Sequence, residues 1–327
     1  MNKKIIALAV AAAFAAPMAA QAGPSIGGHL QAEIVDYDRD GSNNDIQELE
    51  DNKRGRLWVT GSENLGNGMK ANYRFEWQVE TTSGSVNDGS RETRVGLSGG
   101  WGEFQAGRLK TPYKYTAGVD YDPYTATVLE SRGANGGTMT DLNGMTKAYG
   151  QHSFLSNSIA YKTKFGKTKF WALYQFAESA APTSNDDNIS LGLSIPVAKG
   201  MGIDVAYITE EKSAANLGGT RAKVGFKMKT GAHKVFVRYE TQSSDLAGAD
   251  ASSAFLGYHM KMGKNVLSVQ YGTISNDVAN SDSEYSMLAL AHNFSKKTKG
   301  WVGYRSTDAD DNTTDVDVIS AGLRIKF

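Results

Sequence analysis

The chain closes on Ile319-Ser320-Ala321-Gly322-Leu323-Arg324-Ile325-Lys326-Phe327. Ile319, Ala321, Leu323, Ile325 and Phe327 fall on one side of an extended strand, and Ser320, Gly322, Arg324 and Lys326 on the other, because successive side chains point to opposite faces. The two faces of this strand meet different solvents. A soluble sheet also alternates, but it has no particular reason to end flush with an aromatic residue.

Working back from this strand, the same period of two recurs in segments of about 8–11 residues, joined alternately by tight turns and by longer polar stretches. The clearest hairpin is Arg54–Ser62, a turn through Glu63-Asn64-Leu65-Gly66-Asn67-Gly68, and Met69–Glu80. In its second strand Ala71, Tyr73, Phe75, Trp77 and Val79 share one face and Lys70, Asn72, Arg74, Glu76 and Gln78 the other. Further pairs are Thr93–Ser98 with Glu103–Arg108, Ser158–Thr163 with Thr168–Ala177, Asn188–Ile195 with Gly202–Glu210, and Thr220–Lys229 with His233–Thr241. Ser253–Met260 pairs with Asn265–Ile274, followed by Glu284–Phe294, Gly300–Ser306 and the terminal strand. With Gly28–Tyr37 at the start, sixteen strands are expected. Outward Tyr73, Trp77, Tyr174, Phe176, Tyr207, Tyr239, Tyr258, Tyr271, Phe294 and Tyr304 form a second regularity, aromatic rings spread over most strands as in an interfacial girdle.

At the other end Lys3 and Lys4 precede an apolar run from Ile5 to Ala16 and the small-residue site Ala20-Gln21-Ala22. This is the pattern of a cleavable export signal over residues 1–22, leaving residues 23–327 as one barrel domain. The chain carries 35 basic and 35 acidic residues, a balance that gives no support to nucleic-acid binding. It holds no Cys, which excludes disulfides, thiolate metal sites and a Cys nucleophile. A mean hydropathy of −0.41 and the lack of a long apolar window exclude a helical membrane protein. They do not exclude a transmembrane barrel, whose lumen-facing residues are polar and whose closure pairs every backbone group. An exported, alternating, 16-stranded all-β antiparallel transmembrane barrel in a Gram-negative outer membrane is therefore the expected fold. Such a barrel contacts lipopolysaccharide and outer-membrane lipid.

One connector stands apart. Between Leu109 and His152 there is no sustained alternation, and a loop of that length in a compact fold calls for a function. Strand parity sends Arg54, Arg56, Arg74 and Arg94 to the lumen, opposite Leu57, Val59, Phe75 and Val95, and Lys162 follows Tyr161 in the same way. The long connector contributes the carboxylates Asp120, Asp122 and Glu130. Arg108 reaches the lumen only if its strand breaks at Gly107.

The run Arg56-Leu57-Trp58-Val59-Thr60-Gly61-Ser62-Glu63-Asn64-Leu65-Gly66-Asn67-Gly68, with Thr93-Arg94-Val95-Gly96-Leu97, Gly107-Arg108 and the final Phe327, resembles the Gram-negative general diffusion porins. The resemblance covers essentially the whole mature chain. It implies a homotrimer whose barrels each fold a long third loop inward to narrow a pore for ions and small hydrophilic solutes. It also implies a constriction between a basic wall, matched best by Arg56 and Arg94 and then by Lys162, and acidic residues of that loop. The family's usual Pro-Glu-Phe-Gly-Gly is replaced by Val128-Leu129-Glu130-Ser131-Arg132-Gly133, so Asp120, Asp122 and Glu130 all stand as candidates to face the wall. Phe327 is implied to be part of the signal read by the barrel-assembly machinery.

No catalytic group, cofactor or metal is called for. His29, His152, His233, His259 and His292 show no zinc-ligand spacing, and no nucleophile elbow, phosphate loop or dinucleotide fingerprint occurs. The alternatives are a substrate-selective porin for oligosaccharides, with Trp58 and Trp171 as stacking rings, then a barrel enzyme, then a soluble carbohydrate-binding β-protein.

Overall fold

The computed structural model describes residues 22–39, 46–87, 91–131, 141–142, 145–146, 154–176, 187–210, 218–245, 250–277, 282–310 and 315–327. The export signal expected over residues 1–22 lies, but for its last residue, outside these, as does most of 132–153. Sixteen wall strands run in chain order. They are β1 (Ala22–Arg39), β2 (Arg56–Gly66), β3 (Met69–Val79), β4 (Thr93–Gly99), β5 (Gly102–Lys110), β6 (Phe154–Phe165), β7 (Thr168–Gln175) and β8 (Asn188–Ala198). They continue as β9 (Met201–Glu210), β10 (Gly219–Thr230), β11 (His233–Ser244), β12 (Ala251–Met262), β13 (Asn265–Asn276), β14 (Ser283–Asn293), β15 (Thr298–Ala309) and β16 (Val316–Lys326). Two short pieces, Ile46–Glu50 and Val86–Asn87, extend β2 and β4 along the same partners. Every neighbour is antiparallel, and β16 pairs with β1 from His29↔Lys326 to Arg39↔Val316, which closes the wall.

The strands form where alternation placed them, and their ends follow from pairing. β1 begins earlier than its alternation shows because Ala22–His29 bonds to β2 while the rest of the strand bonds to β16. Arg54 differs from expectation. It sits in a break between Ile46–Glu50 and β2, where Asn52 and Lys53 take φ of 47° and 52°, rather than inside a strand. The short connections are tight turns. Thr230 pairs with His233 and Met262 with Asn265, around Gly231 and Gly263 at φ of 56° and 61°, the left-handed conformation that two-residue hairpins require.

Alternation becomes a two-faced wall. Val95 is 63% exposed and Phe104 54% on the outside, while Gln105, Glu76 and Arg56 are buried on the inside. The outward aromatic residues Tyr207, Tyr239, Tyr271, Tyr304 and Phe294 are exposed as expected. The barrel's interior is largely polar, and its largest apolar cluster among the described residues lies under the connector after β5. There, Ala117, Tyr121, Tyr124, Val128 and Leu129 of the connector after β5 pack on Val35, Phe255, Tyr285, Met287 and Trp301 of the wall. That connector starts with a one-turn helix, α1 (Pro112–Tyr115), capped by the Thr111 side chain, and continues through a 3₁₀ turn at Val119–Tyr121.

The closing seam is sterically tight. The last residue exchanges backbone hydrogen bonds with Gly28, Phe327 N–H donating at 3.0 Å and Phe327 C=O accepting at 3.2 Å. A Cβ at Gly28 would strike the Phe327 ring and the Arg56 carbonyl. Gly28→Val is expected to destabilise the barrel by about 1–3 kcal/mol through overpacking, read as an earlier midpoint for loss of the fast-migrating folded form on heating in detergent. Adding Phe327→Ala removes one of the two obstacles and should restore part of the loss.

Candidate functional site: the charged inner wall

The basic residues expected on the inner face are there, but they are interleaved with carboxylates of the same wall. Glu76 on β3 faces Arg56 at 3.6 Å on one side and Arg91 at 3.1 Å on another, and also pairs with Arg74. Glu92, just before β4, holds three cations, Arg74 at 3.2 Å, Arg94 at 3.2 Å and Lys110 at 2.9 Å. Glu103 on β5 reaches Arg94 at 3.4 Å. Pairs with two or more partners in a partly dehydrated setting hold their geometry better than isolated surface pairs do. Arg56 is further fixed by donating to the carbonyls of Gly55, at 2.6 Å, and Lys53. The wall therefore presents a rigid ladder of alternating sign along β2 to β5.

Sequence reasoning identified the cations and missed Glu76, Glu92, Glu103, Arg91 and Lys110. The signal was available in Arg74-Phe75-Glu76 and Glu92-Thr93-Arg94, where opposite charges two apart share a strand face. The strand does not break at Gly107, so Arg108 stays in register opposite Thr93 of β4, on the side of Phe104. Gly107 takes φ 132° and the β5–β6 register shifts opposite it, where Arg108 donates to Ser156 at 2.7 Å. Lys162 places its ammonium 4.0 Å from the centre of the Trp171 ring, and Arg74 lies 5.0 Å from that of Trp58. Both rings proposed as stacking platforms thus already carry a cation over one face.

The connector after β5 is tied across the inner wall by side chains from many strands. Tyr113 N–H donates to Ser190 on β8 at 3.0 Å, and Tyr113 Oη–H to Glu240 on β11. Tyr121 Oη–H donates to Asp204 on β9 at 2.9 Å, and Gln31 on β1 donates to the Ala126 carbonyl at 2.7 Å. Three cations of the wall also bind its carbonyls, Arg238 to Ala117 at 3.1 Å, Lys299 to Pro123 at 3.1 Å and Arg324 to Thr125 at 3.2 Å. Residues 111–131 are a strap pinned to both sides of the barrel. The polar faces of β11, β15 and β16 thereby contribute a second basic group that was not singled out from the sequence.

The three connector carboxylates have different surroundings. Asp122 accepts from Tyr124 N–H at 2.8 Å and Ser131 N–H at 2.7 Å, and from Gln270 on β13 at 3.0 Å, so it staples the strap to itself and to the wall. Glu130 accepts from Ala126 N–H at 2.7 Å and lies within electrostatic reach of Arg54 and Arg324. Asp120 is exposed to the lumen and lies toward Lys227 and Asp204, themselves paired at 2.6 Å. The wall around it nevertheless strips enough water to push its carboxyl above the ordinary range, against the pull of Lys227 and with the Asp204 charge adding to the rise. Among the described residues no cluster of His, Cys, Asp and Glu is arranged to hold a metal.

This chain is similar to several known proteins. A profile of the Gram-negative porin family matches residues 7–312. The major outer membrane protein P.IB of Neisseria gonorrhoeae is 28% identical over 59% of this chain and 53% of its own length. Outer membrane porin protein 32 of Delftia acidovorans is 29% identical over 66% of this chain and 58% of its own. The chain spans little more than half the length of these curated relatives. Among solved structures, an anion-selective porin from Comamonas acidovorans superposes with a TM-score of 0.76 at 18% identity, covering 93% of this chain and 99% of that one. A loop-deletion form of OmpT from Vibrio cholerae does so with a TM-score of 0.71 at 14% identity, covering 93% and 99%. With sixteen strands closed on themselves, an apolar outside and a polar inside, and a family match over nearly its whole length, the chain belongs to the Gram-negative porin family of outer-membrane β-barrels.

Proposed function

We propose that the protein is a passive diffusion channel for ions and small hydrophilic solutes, assembled as a homotrimer, with its narrowest part between the β2–β5 ladder and the strap at residues 111–131. The observation that carries this reading is the strap itself, held across a polar interior by hydrogen bonds to β1, β8, β9, β11, β13, β15 and β16. Fixed cations and anions in a low-dielectric tube set up a transverse field that orients water and polar solutes and disfavours apolar ones. Transport of this kind needs no catalytic group. Barrel-assembly machinery and lipopolysaccharide are its expected partners, with Phe327 at the seam as the residue offered to the former.

The sign of selectivity follows from which charges the wall leaves in excess. On β2 to β5 five cations, Arg56, Arg74, Arg91, Arg94 and Lys110, share the three carboxylates Glu76, Glu92 and Glu103, and Lys299 and Arg324 donate to strap carbonyls with Asp122 and Glu130 offsetting only part of their charge. The pore therefore prefers anions, as the similarly folded Comamonas acidovorans porin is named for doing.

Two outcomes test this reading. Replacing Arg56 and Arg94 with Gln should lower the anion-to-cation permeability ratio several-fold, read as a shifted reversal potential in a KCl gradient; an unchanged potential would remove the ladder from the permeation path. Acidification supplies the second test. The Asp120 carboxyl, raised above the usual range, gains its proton before ordinary carboxylates do, so anion preference should climb early as pH falls. Asp120→Asn should show the higher anion preference already at neutral pH and lack that early climb, the two proteins converging in acid.

A further inference from the structure

Among the described residues, lysines gather at the short-turn mouth of the barrel and facing carboxylates at the other end. Lys164, Lys169, Lys229, Lys234, Lys261 and Lys326 are all exposed there and share the strand parity of the inner face. Lys164 lies directly opposite Lys169, and Lys229 directly opposite Lys234. Like charges placed opposite each other oppose strand pairing, so this arrangement is not explained by folding. At the far end the directly opposite pairs are Glu284 with Asp308 and Asp38 with Asp317.

Within the basic mouth lies a recess of about 390 Å³ between the ends of β7 to β11. Lys167, Lys169, Lys229 and Lys234 rim it, and Phe236 gives it an apolar floor on the inner face, while Met201 and Met228, which also border it, have the outward parity of Val205 and Val224. Phe236 is held in place by Tyr121 of the strap, ring centres 4.9 Å apart, and by His259 at 5.5 Å. Lys227, which also borders the recess, is paired with Asp204, whereas among the described residues the four rim lysines have neither ion pair nor hydrogen bond. Volume, apolar floor and a few convergent charges are the attributes of small-molecule sites, which run to about 300–1,000 Å³.

We propose that this recess binds aromatic anions, an aryl body lying on Phe236 with a phosphate or sulfonate head among the rim lysines, entering from the short-turn side. Tyr121 of the strap packs against the Phe236 ring that floors the recess, so an occupant lies beside the strap at the inner entrance of the narrowest part and retards flow. This inference rests on the channel reading only for its effect on current; binding itself does not require conduction.

The probe is phenyl phosphate, compared with inorganic phosphate and phenol. In calorimetry on the folded protein in detergent, with detergent blanks, phenyl phosphate should bind about tenfold more tightly than inorganic phosphate, the difference being the buried ring. Lys229→Gln with Lys234→Gln should remove most of that affinity, and Phe236→Ala, which removes the ring without touching a charge, should abolish the advantage over inorganic phosphate. In planar bilayers, Asp310→Cys gives the chain its only thiol, so biotin and streptavidin mark the long-loop end of each inserted channel. Phenyl phosphate should then reduce current at roughly tenfold lower concentration from the unmarked side, where the lysine field concentrates it. Equal affinity for phenyl phosphate and inorganic phosphate, or equal block from both sides, overturns the site. A conducting channel without phenyl phosphate binding overturns the site alone, and a folded protein that binds but never conducts overturns the channel reading alone.

Discussion

Hydrocarbon offers no hydrogen bonds, so a wall immersed in it must pair every backbone amide and carbonyl within itself. The ladder between β1 and β16 is where that requirement is met for this chain, since any other pair of strands is already joined by sequence neighbours. β1 serves both edges at once, bonding β2 along its first part and β16 along the remainder. The tight contact of Gly28 with the Phe327 ring is a direct consequence, because the chain's last residue must fit into the same seam that completes the ladder. Once the wall is closed, the inside is separated from lipid and can carry the charge that the outside cannot.

The interior uses that freedom in two ways. On β2 to β5 the charges neutralise one another laterally, in contacts of 2.9 to 3.6 Å that fix long side chains. On the remaining wall the cations are turned toward backbone carbonyls of the strap, which fixes the strap while their charge stays in the lumen. The apolar cluster of Tyr121, Tyr124, Val128 and Leu129 against Phe255, Tyr285 and Trp301 adds a non-polar anchor in an otherwise wet interior. A strap held by both kinds of contact is a structural element rather than a loose loop.

The wall was legible in the sequence because its physics is local. Period two, apolar out and polar in, is written residue by residue, and all sixteen strands follow from it, as in Ala71 to Val79 of β3. What alternation cannot show is which inner residues meet across strands. Arg56, Arg74 and Arg94 were visible as inward cations, but their carboxylate partners Glu76, Glu92 and Glu103 depend on register and on strand shear. The strap was legible only as a missing pattern. Its positions are set by single side chains such as Gln31, Asp204 and Gln270, far away in sequence. Arg54 was misread as a strand residue because Asn52-Lys53 interrupts the strand through backbone conformation, to which hydrophobic periodicity is blind.

Glu92 is a shared counter-ion for Arg74, Arg94 and Lys110, at 3.2, 3.2 and 2.9 Å. A lineage that loses this carboxylate in one codon change alters three contacts together, leaving Arg74 and Arg94 with only Glu76 and Glu103 and Lys110 without its ion pair, while the net charge changes by one unit as it does on loss of any one cation. The inner wall thus holds one residue whose loss rearranges several contacts at once, and that residue is an acid.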